Sequence, residues 1–216
     1  MLLAPVNRRF SLAAVAAVTT VGAWAAMPAT AAELPQDASA TARRLVRWAT
    51  ASGDPQGLPF AVIDKPHARI HVFSAQGQWL ASSAVLLGAA LGDRSAPGIG
   101  QRPLSQIRPE ERTTPAGRFV TEPGRNLKGD DIVWIDYDAA VSLHRVRSAS
   151  AAERRQQRLA SDGAQDKRIS YGCVNAPEAF YNQFIAPLFG QARGVIYVLP
   201  DTEPFATFFV AASAYP

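Results

Sequence analysis

Short apolar runs, each closed by a turn that carries Gly, Pro or Asp, follow one another along most of the chain. Pro59–Asp64, Arg69–Phe73, Trp79–Leu87, Gly117–Thr121, Ile132–Asp136, Ala140–His144 and Gly194–Leu199 are the runs that read as strands. Such runs do not supply the long 3.6-period faces of a helical bundle, but paired in sheets they bury one or both faces. The pattern predicts a mainly β fold with a few helices. Gln76-Gly77 turns Arg69–Phe73 back into Trp79–Leu87, a hairpin.

Helical periodicity is confined to three places. Ala42, Leu45, Val46 and Ala49 share one face of a helix over Thr41–Ser52, which Gly53-Asp54-Pro55 ends. Ala149–Ser161 lacks helix breakers and predicts a surface helix. A third helix is expected after Asn175, running through Phe180, Phe184 and Leu188. Between Ala90 and Pro115 the chain is rich in Gly, Pro, Arg and Ser and reads as a long loop. The apolar tail, Phe205–Tyr215, is too short to span a bilayer and reads as an edge strand.

Met1–Ala31 has the pattern of an export signal. Arg8 and Arg9 precede an uncharged stretch, Ser11–Ala26, and Ala29-Thr30-Ala31 offers a cleavage site. Subtracting these 31 residues leaves 185 of the 216, enough for one domain with its own core. The expected organisation is a signal at 1–31, a leader and helix at 32–57, a catalytic domain at 58–201 and an apolar tail at 202–216. Hydrophobic residues make up 48% of the chain, which excludes a disordered protein. A net charge of +4 is too small to argue for nucleic acid.

Only one cysteine is present, so no internal disulfide forms, and in an exported protein a lone thiol is either buried or employed. Cys173 lies in Ser170-Tyr171-Gly172-Cys173-Val174-Asn175, ahead of Pro177 and Glu178. Asn175 and Glu178 are spaced as a helix cap and its partner, with Pro177 in the first turn. A helix start just beyond Cys173 would stabilise an anion there, and Gly172 would let substrate backbone approach. A buried core cysteine is the alternative that these residues leave open. A nucleophilic thiol also needs a base. Of three histidines, His67 and His71 lie on or beside the first hairpin, where His71 reads as a strand residue facing outward. His144 ends a predicted strand, a position that suits either a base or a structural residue.

With these residues the chain resembles the L,D-transpeptidases of the YkuD type. Val62-Ile63-Asp64-Lys65 leading into Ile70-His71-Val72-Phe73 looks like that family's opening hairpin. Thr114-Pro115-Ala116-Gly117-Arg118-Phe119 is similar to its TPxGxF segment, and the Ser170–Asn175 stretch resembles its cysteine motif. The resemblance runs from about Phe60 to Leu199. It implies a β-rich, sandwich- or barrel-like catalytic domain in which Cys173 is the nucleophile and His144 the base. It also implies an oxyanion site made by the backbone N–H groups of Tyr171, Gly172 and Cys173. Ser170 would order that loop, and Asn175 would cap the helix. Three departures stand out: Tyr171 replaces a frequent histidine, Arg145 replaces a glycine, and 29 positions separate His144 from Cys173.

The implied reaction is acyl transfer on peptidoglycan stem peptides, through a thioester, to an amine on another stem, a lipoprotein lysine, a free D-amino acid or water. The expected location is the periplasm or cell wall, after cleavage near Ala31. No cofactor and no metal are called for, and carbapenem acylation of Cys173 is expected. A non-catalytic peptidoglycan-binding protein that keeps the fold is the alternative reading. Residues 145–172 carry seven basic against three acidic residues. Arg154, Arg155 and Arg158, at helical spacing, read as a solvated face or as a rim that attracts stem-peptide carboxylates. Arg145 and Arg168 join them as substrate-binding candidates. The sequence leaves the oligomeric state open.

Overall fold

The computed structural model describes residues 34–147 and 150–215; the expected export signal, Met1–Ala31, and its cleavage point lie outside them. In chain order, helix α1 (Ala40–Ser52) leads into strands β1 (Phe60–Asp64), β2 (Arg69–Phe73), β3 (Trp79–Ala84) and β4 (Leu87–Gly88). After three short 3-10 turns come β5 (Gly117–Val120), β6 (Glu122–Arg125), β7 (Asp131–Asp136) and β8 (Val141–Arg145). Next are helix α2 (Arg155–Ala160), β9 (Arg168–Ser170), β10 (Val174–Ala176) and α3 (Glu178–Phe180). A π-helical turn, Tyr181–Ile185, joins α3 to α4 (Ala186–Phe189), and β11 (Val195–Val198), α5 (Phe205–Phe208) and α6 (Val210–Ser213) complete the chain. The architecture is mainly β with a few helices, as the run lengths predict.

Five strands form one sheet in the order β3-β2-β1-β11-β5, and four form a second in the order β10-β8-β7-β6; β4 and β9 pair separately. β1 lies at the centre of the first sheet, antiparallel to β2 and parallel to β11. All five of its residues are buried. Ala61 and Ile63 face the core shared with the second sheet, while Phe60 and Val62 face a core shared with α1 and the tail. A strand covered on both faces reads as a continuous apolar run, and this is why Phe60–Asp64 shows no alternation.

α1 is set by its ends and its stripe. The Ser39 hydroxyl accepts the Ala42 N–H at 3.0 Å, and Gly53 closes the helix at φ 67°. Ala42, Leu45, Val46 and Ala49 are fully buried against the first sheet, at about 1.5–3 kcal/mol for each larger side chain. The C-terminal tail is not the edge strand expected of it. It folds as α5 and α6, because Phe209 and Ala212 fill the α1 core and Arg44 donates to the carbonyls of Ser213 and Tyr215.

Two further expectations change. Helix Ala149–Ser161 is broken: among its described residues a 3-10 turn, Ala151–Glu153, gives way at Arg154 (φ 46°) to the six-residue α2. That left-handed residue leaves Arg154 outside the helix that carries Arg155 and Arg158. His71, expected to face outward, is fully buried on β2 with Nδ1 2.7 Å from the Ser82 hydroxyl. Burial drives its imidazole pKa down to about 4, against the weaker upward pull of Asp64.

Beyond β1 the chain enters a buried ionic network. Lys65 Nζ donates to Asp93 Oδ1, Gly92 C=O and Thr114 C=O, each at 2.7 Å. Burial alone would raise the Asp93 carboxyl; the Lys65 ammonium and the N–H groups of Glu203, Asp201 and Thr202 outweigh it and hold the carboxyl far below its usual range. The network fixes the 90–115 loop from beneath. That segment is therefore built into the domain, with Asp93, Thr113 and Thr114 all buried.

Candidate active site

Cys173 stands between two short strands rather than at a helix start. β10 pairs in parallel with β8, Val174 opposite Leu143, Asn175 opposite His144 and Ala176 opposite Arg145. Asn175 is thus a strand residue and caps nothing; Pro177 precedes α3 and makes no side-chain cap. The parallel ladder on one side and a reciprocal pair of backbone bonds between Asn175 and Leu86 on the other hold residues 174–176 extended, so the chain becomes helical later than the Asn-x-x-Glu spacing suggests. The helix-dipole argument for the thiol falls with this correction.

Alternation along β8 puts Ser142 and His144 on one face, and Leu143 on the other, in the core. On that first face Cys173 Sγ meets the Ser142 N–H at 3.5 Å, the Ser142 hydroxyl at 3.6 Å and the Ala140 carbonyl at 3.7 Å. Ser142 escaped the sequence reading. Its signal is its place two residues before His144, which in a strand means the same side.

His144 forms the next step along the ladder. Its Nδ1 lies 2.7 Å from the Arg145 carbonyl, which only accepts, so Nδ1 carries the proton and Nε2 the lone pair. Nε2 lies 3.4 Å from Asn175 Nδ2. The fully buried Asn175 also donates to the Cys173 carbonyl at 3.2 Å, while its Oδ1 accepts from Arg155 at 2.5 Å. Burial lowers the His144 pKa; the Arg145 carbonyl opposes this, and the charges of Arg147 and Arg155 add to it. His144 is therefore a neutral imidazole at neutral pH. The thiol touches Ser142, and His144 touches Asn175.

The turn before Cys173 is closed by Ser170, whose hydroxyl donates to the Cys173 carbonyl at 2.6 Å and accepts the Gly172 N–H at 3.1 Å. Of the three N–H groups expected to make an oxyanion site, the Gly172 one is thereby engaged. Gly172 has φ 129°, and a Cβ there would sit 2.7 Å from the Thr113 carbonyl, so no other residue fits without moving backbone. The Thr114 hydroxyl donates to the Gly172 carbonyl at 2.8 Å and accepts the Gly88 N–H at 2.9 Å. The Thr114–Phe119 segment and the cysteine turn, 58 positions apart, are thus joined directly. Tyr171, 38% exposed, lies beneath the Arg112 guanidinium, 4.2 Å from its ring centre.

The arginine candidates separate. Arg145 pairs with Asp131 at 2.7 Å, donates to Asn182 and stacks on Tyr181. Arg168, its side chain 5% exposed, grips Asp201 with both terminal nitrogens and donates to the Lys65 carbonyl. Arg158 donates to the carbonyls of Glu153 and Asp166. Arg154 is exposed, beside a shallow cleft shared with Gln157 and Asp166. Arg155 points inward, pairs with Glu153 at 2.6 Å and reaches Asn175. The positive stretch between His144 and Cys173 is largely answered by acids: Arg145, Arg147, Arg155 and Arg168 each have a carboxylate partner.

No family model matches the sequence, and no curated protein matches it significantly. Solved structures give distant likenesses. An L,D-transpeptidase from Mycobacterium smegmatis is 16% identical over 65% of this chain and 58% of its own, with a TM-score of 0.34. The catalytic domain of an E. faecium L,D-transpeptidase is 17% identical over 65% of this chain and 96% of its own, at a TM-score of 0.34. A helical cell shape determining protein from Campylobacter jejuni is 12% identical over 77% of this chain and 58% of its own, at a TM-score of 0.44. The chain spans 58% of the length of both the M. smegmatis and the C. jejuni proteins.

Proposed function

We propose that the chain is an exported cysteine acyltransferase, an L,D-transpeptidase acting on peptidoglycan stem peptides in the periplasm or cell wall. One observation carries this reading. The two motif segments that resemble the family, 58 positions apart, meet at Thr114 and Gly172, and the thiol beside them shares a strand-pair face with Ser142, His144 and Asn175. A resemblance of scattered residues would not require that meeting.

In this reading the Cys173 sulfur attacks the carbonyl of the stem's diamino acid while its proton passes to His144 Nε2, the unprotonated ring nitrogen. Collapse of the tetrahedral adduct breaks the bond to the terminal D-alanine, whose nitrogen takes that proton, and leaves a thioester. An incoming amine then displaces the sulfur and the thiol is restored; water in its place gives a carboxypeptidase. The Tyr171 and Cys173 N–H groups are the remaining backbone donors to the oxyanion, with Ser142 beside the sulfur. Sγ must turn from Ser142 toward Nε2 for the first step.

That required turn favours a second reading as well, in which the fold binds peptidoglycan without reacting, because both nitrogens of His144 have partners other than the thiol. Intact mass after incubation with a carbapenem separates the two. A covalent adduct on wild-type protein and none on Cys173→Ala supports the enzyme. An unmodified wild-type protein supports binding alone.

A further inference from the structure

The stretch between His144 and Cys173 inserts an arginine into the back of the site. We propose that Arg155 is a positioning residue for the base: it fixes the orientation of the Asn175 amide, and through it the tautomer and proton affinity of His144. The proposal rests on the reading of Cys173 and His144 as nucleophile and base, and assigns them a regulator outside the motifs that resemble the family.

An arginine guanidinium only donates, so the Asn175 atom 2.5 Å from it must be the amide oxygen. The amide nitrogen is then turned toward His144 Nε2 at 3.4 Å and the Cys173 carbonyl at 3.2 Å. A nitrogen that donates meets Nε2 favourably only while Nε2 keeps its lone pair. Protonation of Nε2 would set N–H against N–H, inside a site where Asn175 is fully buried and cannot turn to water. The Arg145 carbonyl holds the proton on Nδ1 from the other side. Arg155 thus keeps His144 a neutral base with its lone pair on the nitrogen that faces Asn175.

Without Arg155, only the Cys173 carbonyl holds the Asn175 amide nitrogen in place, and rotation against that single bond offers the amide oxygen to a protonated Nε2, which stabilises the imidazolium. The arginine is itself well held: its side chain is 11% exposed and Glu153 grips Nε at 2.6 Å. The other charges acting on His144 are Arg147, which lowers its pKa, and Asp130, which raises it and pairs with Arg147 at 2.8 Å; the neighbouring Arg145 side chain is paired with Asp131 at 2.7 Å. Arg154, left-handed at φ 46°, ends the 3-10 turn, and Arg155 opens α2 with its guanidinium on Asn175.

The test reads the imidazole directly. Histidine ring signals of labelled protein are titrated by NMR, with His144→Gln assigning the resonance, in wild type and in Arg155→Met. The same pair is titrated again in an Asn175→Ala background. The expected result is an upward shift of the His144 pKa of about one unit in Arg155→Met, a shift of the size that one neighbouring interaction produces, which shrinks markedly once Asn175 is absent. Alkylation of Cys173 by iodoacetamide should show its acid limb displaced by the same amount. An unmoved titration in Arg155→Met overturns the proposal, and so does an equal shift with and without Asn175, which would leave only a direct charge effect. Should Arg155→Met not fold, Arg155→Lys carries the test: with the charge kept but the guanidinium that holds the Asn175 oxygen lost, the His144 pKa should still rise, and no rise overturns the proposal. Because these readouts need no transpeptidation, a wild type that releases no D-alanine but shows the shift rejects the enzyme reading and leaves the positioning role standing.

Discussion

Thr114 and Gly172 are joined by a buried hydrogen bond, hydroxyl to carbonyl at 2.8 Å, across 58 positions of sequence. The same hydroxyl takes the Gly88 N–H, so one side chain ties β4, the 90–115 loop and the cysteine turn together. The Thr114 carbonyl in turn receives the Lys65 ammonium. The placement of Cys173 therefore depends on residues far from it in the chain.

Thr114→Val keeps the shape and removes the hydroxyl. Two buried partners lose their bonds, at about 1–3 kcal/mol for each group left unpaired. Urea unfolding should show that loss, and alkylation of Cys173 should become slower or heterogeneous as its turn loosens. Stability within about 0.5 kcal/mol of wild type would mean the bond contributes little more than an ordinary surface substitution removes.

Ser142→Ala tests the nearest neighbour of the sulfur. Its hydroxyl donates to sulfur as negative charge develops there, an interaction worth about 1 kcal/mol, so alkylation near neutral pH should slow by about fivefold with the fold unchanged. An equal or faster rate would show that the hydroxyl only fills space.

Arg168→Met distinguishes two roles for an arginine that the sequence offered as a substrate contact. Breaking its buried pair should cost about 1–3 kcal/mol of stability, since Lys65 Nζ, 3.5 Å away, still faces the Asp201 carboxylate. If the melting temperature stays put while KM for muropeptides rises, the arginine reaches substrate after all.

His71 gives a pH dependence whose sign follows from its burial. The imidazole titrates near 6.5 when unfolded and about 4 when folded, so below pH 6.5 the unfolded chain binds a proton that the folded one refuses. Stability is full above that value and falls as pH drops toward 4, by on the order of 3 kcal/mol. His71→Asn should flatten this window relative to wild type; parallel curves would contradict it.

What the sequence revealed, and what it hid, follows the range of the forces involved. Arg69–Phe73 appears as a strand in the chain and in the fold alike, because local turns and apolar content decide it. Helix α1 is legible for the same reason, with stripe, cap and stop all local. The three-residue strands β9 and β10 are not, since they depend on pairing with distant partners, β4 for one and β8 and Leu86 for the other. Asn175 shows how such pairing overrides a local signal: a cap spacing yields to a ladder and to three side-chain bonds. The tail misled because its apolar residues serve a helical packing face whose partner, α1, lies far back in the chain. At the site, Cys173 and His144 were visible by type, whereas Ser142 and the inward role of Arg155 depend on register and on the contact with Asn175.

The central claim is that Cys173 is a nucleophile toward stem peptides. Purified tetrapeptide muropeptides incubated with the protein, and followed by mass spectrometry for loss of the terminal D-alanine, test it most directly. Wild type should release D-alanine and form a transfer or hydrolysis product. Cys173→Ala, with unchanged circular dichroism and melting temperature, should release none. D-Alanine release at the wild-type rate by Cys173→Ala, or no release by the folded wild type, would contradict the account.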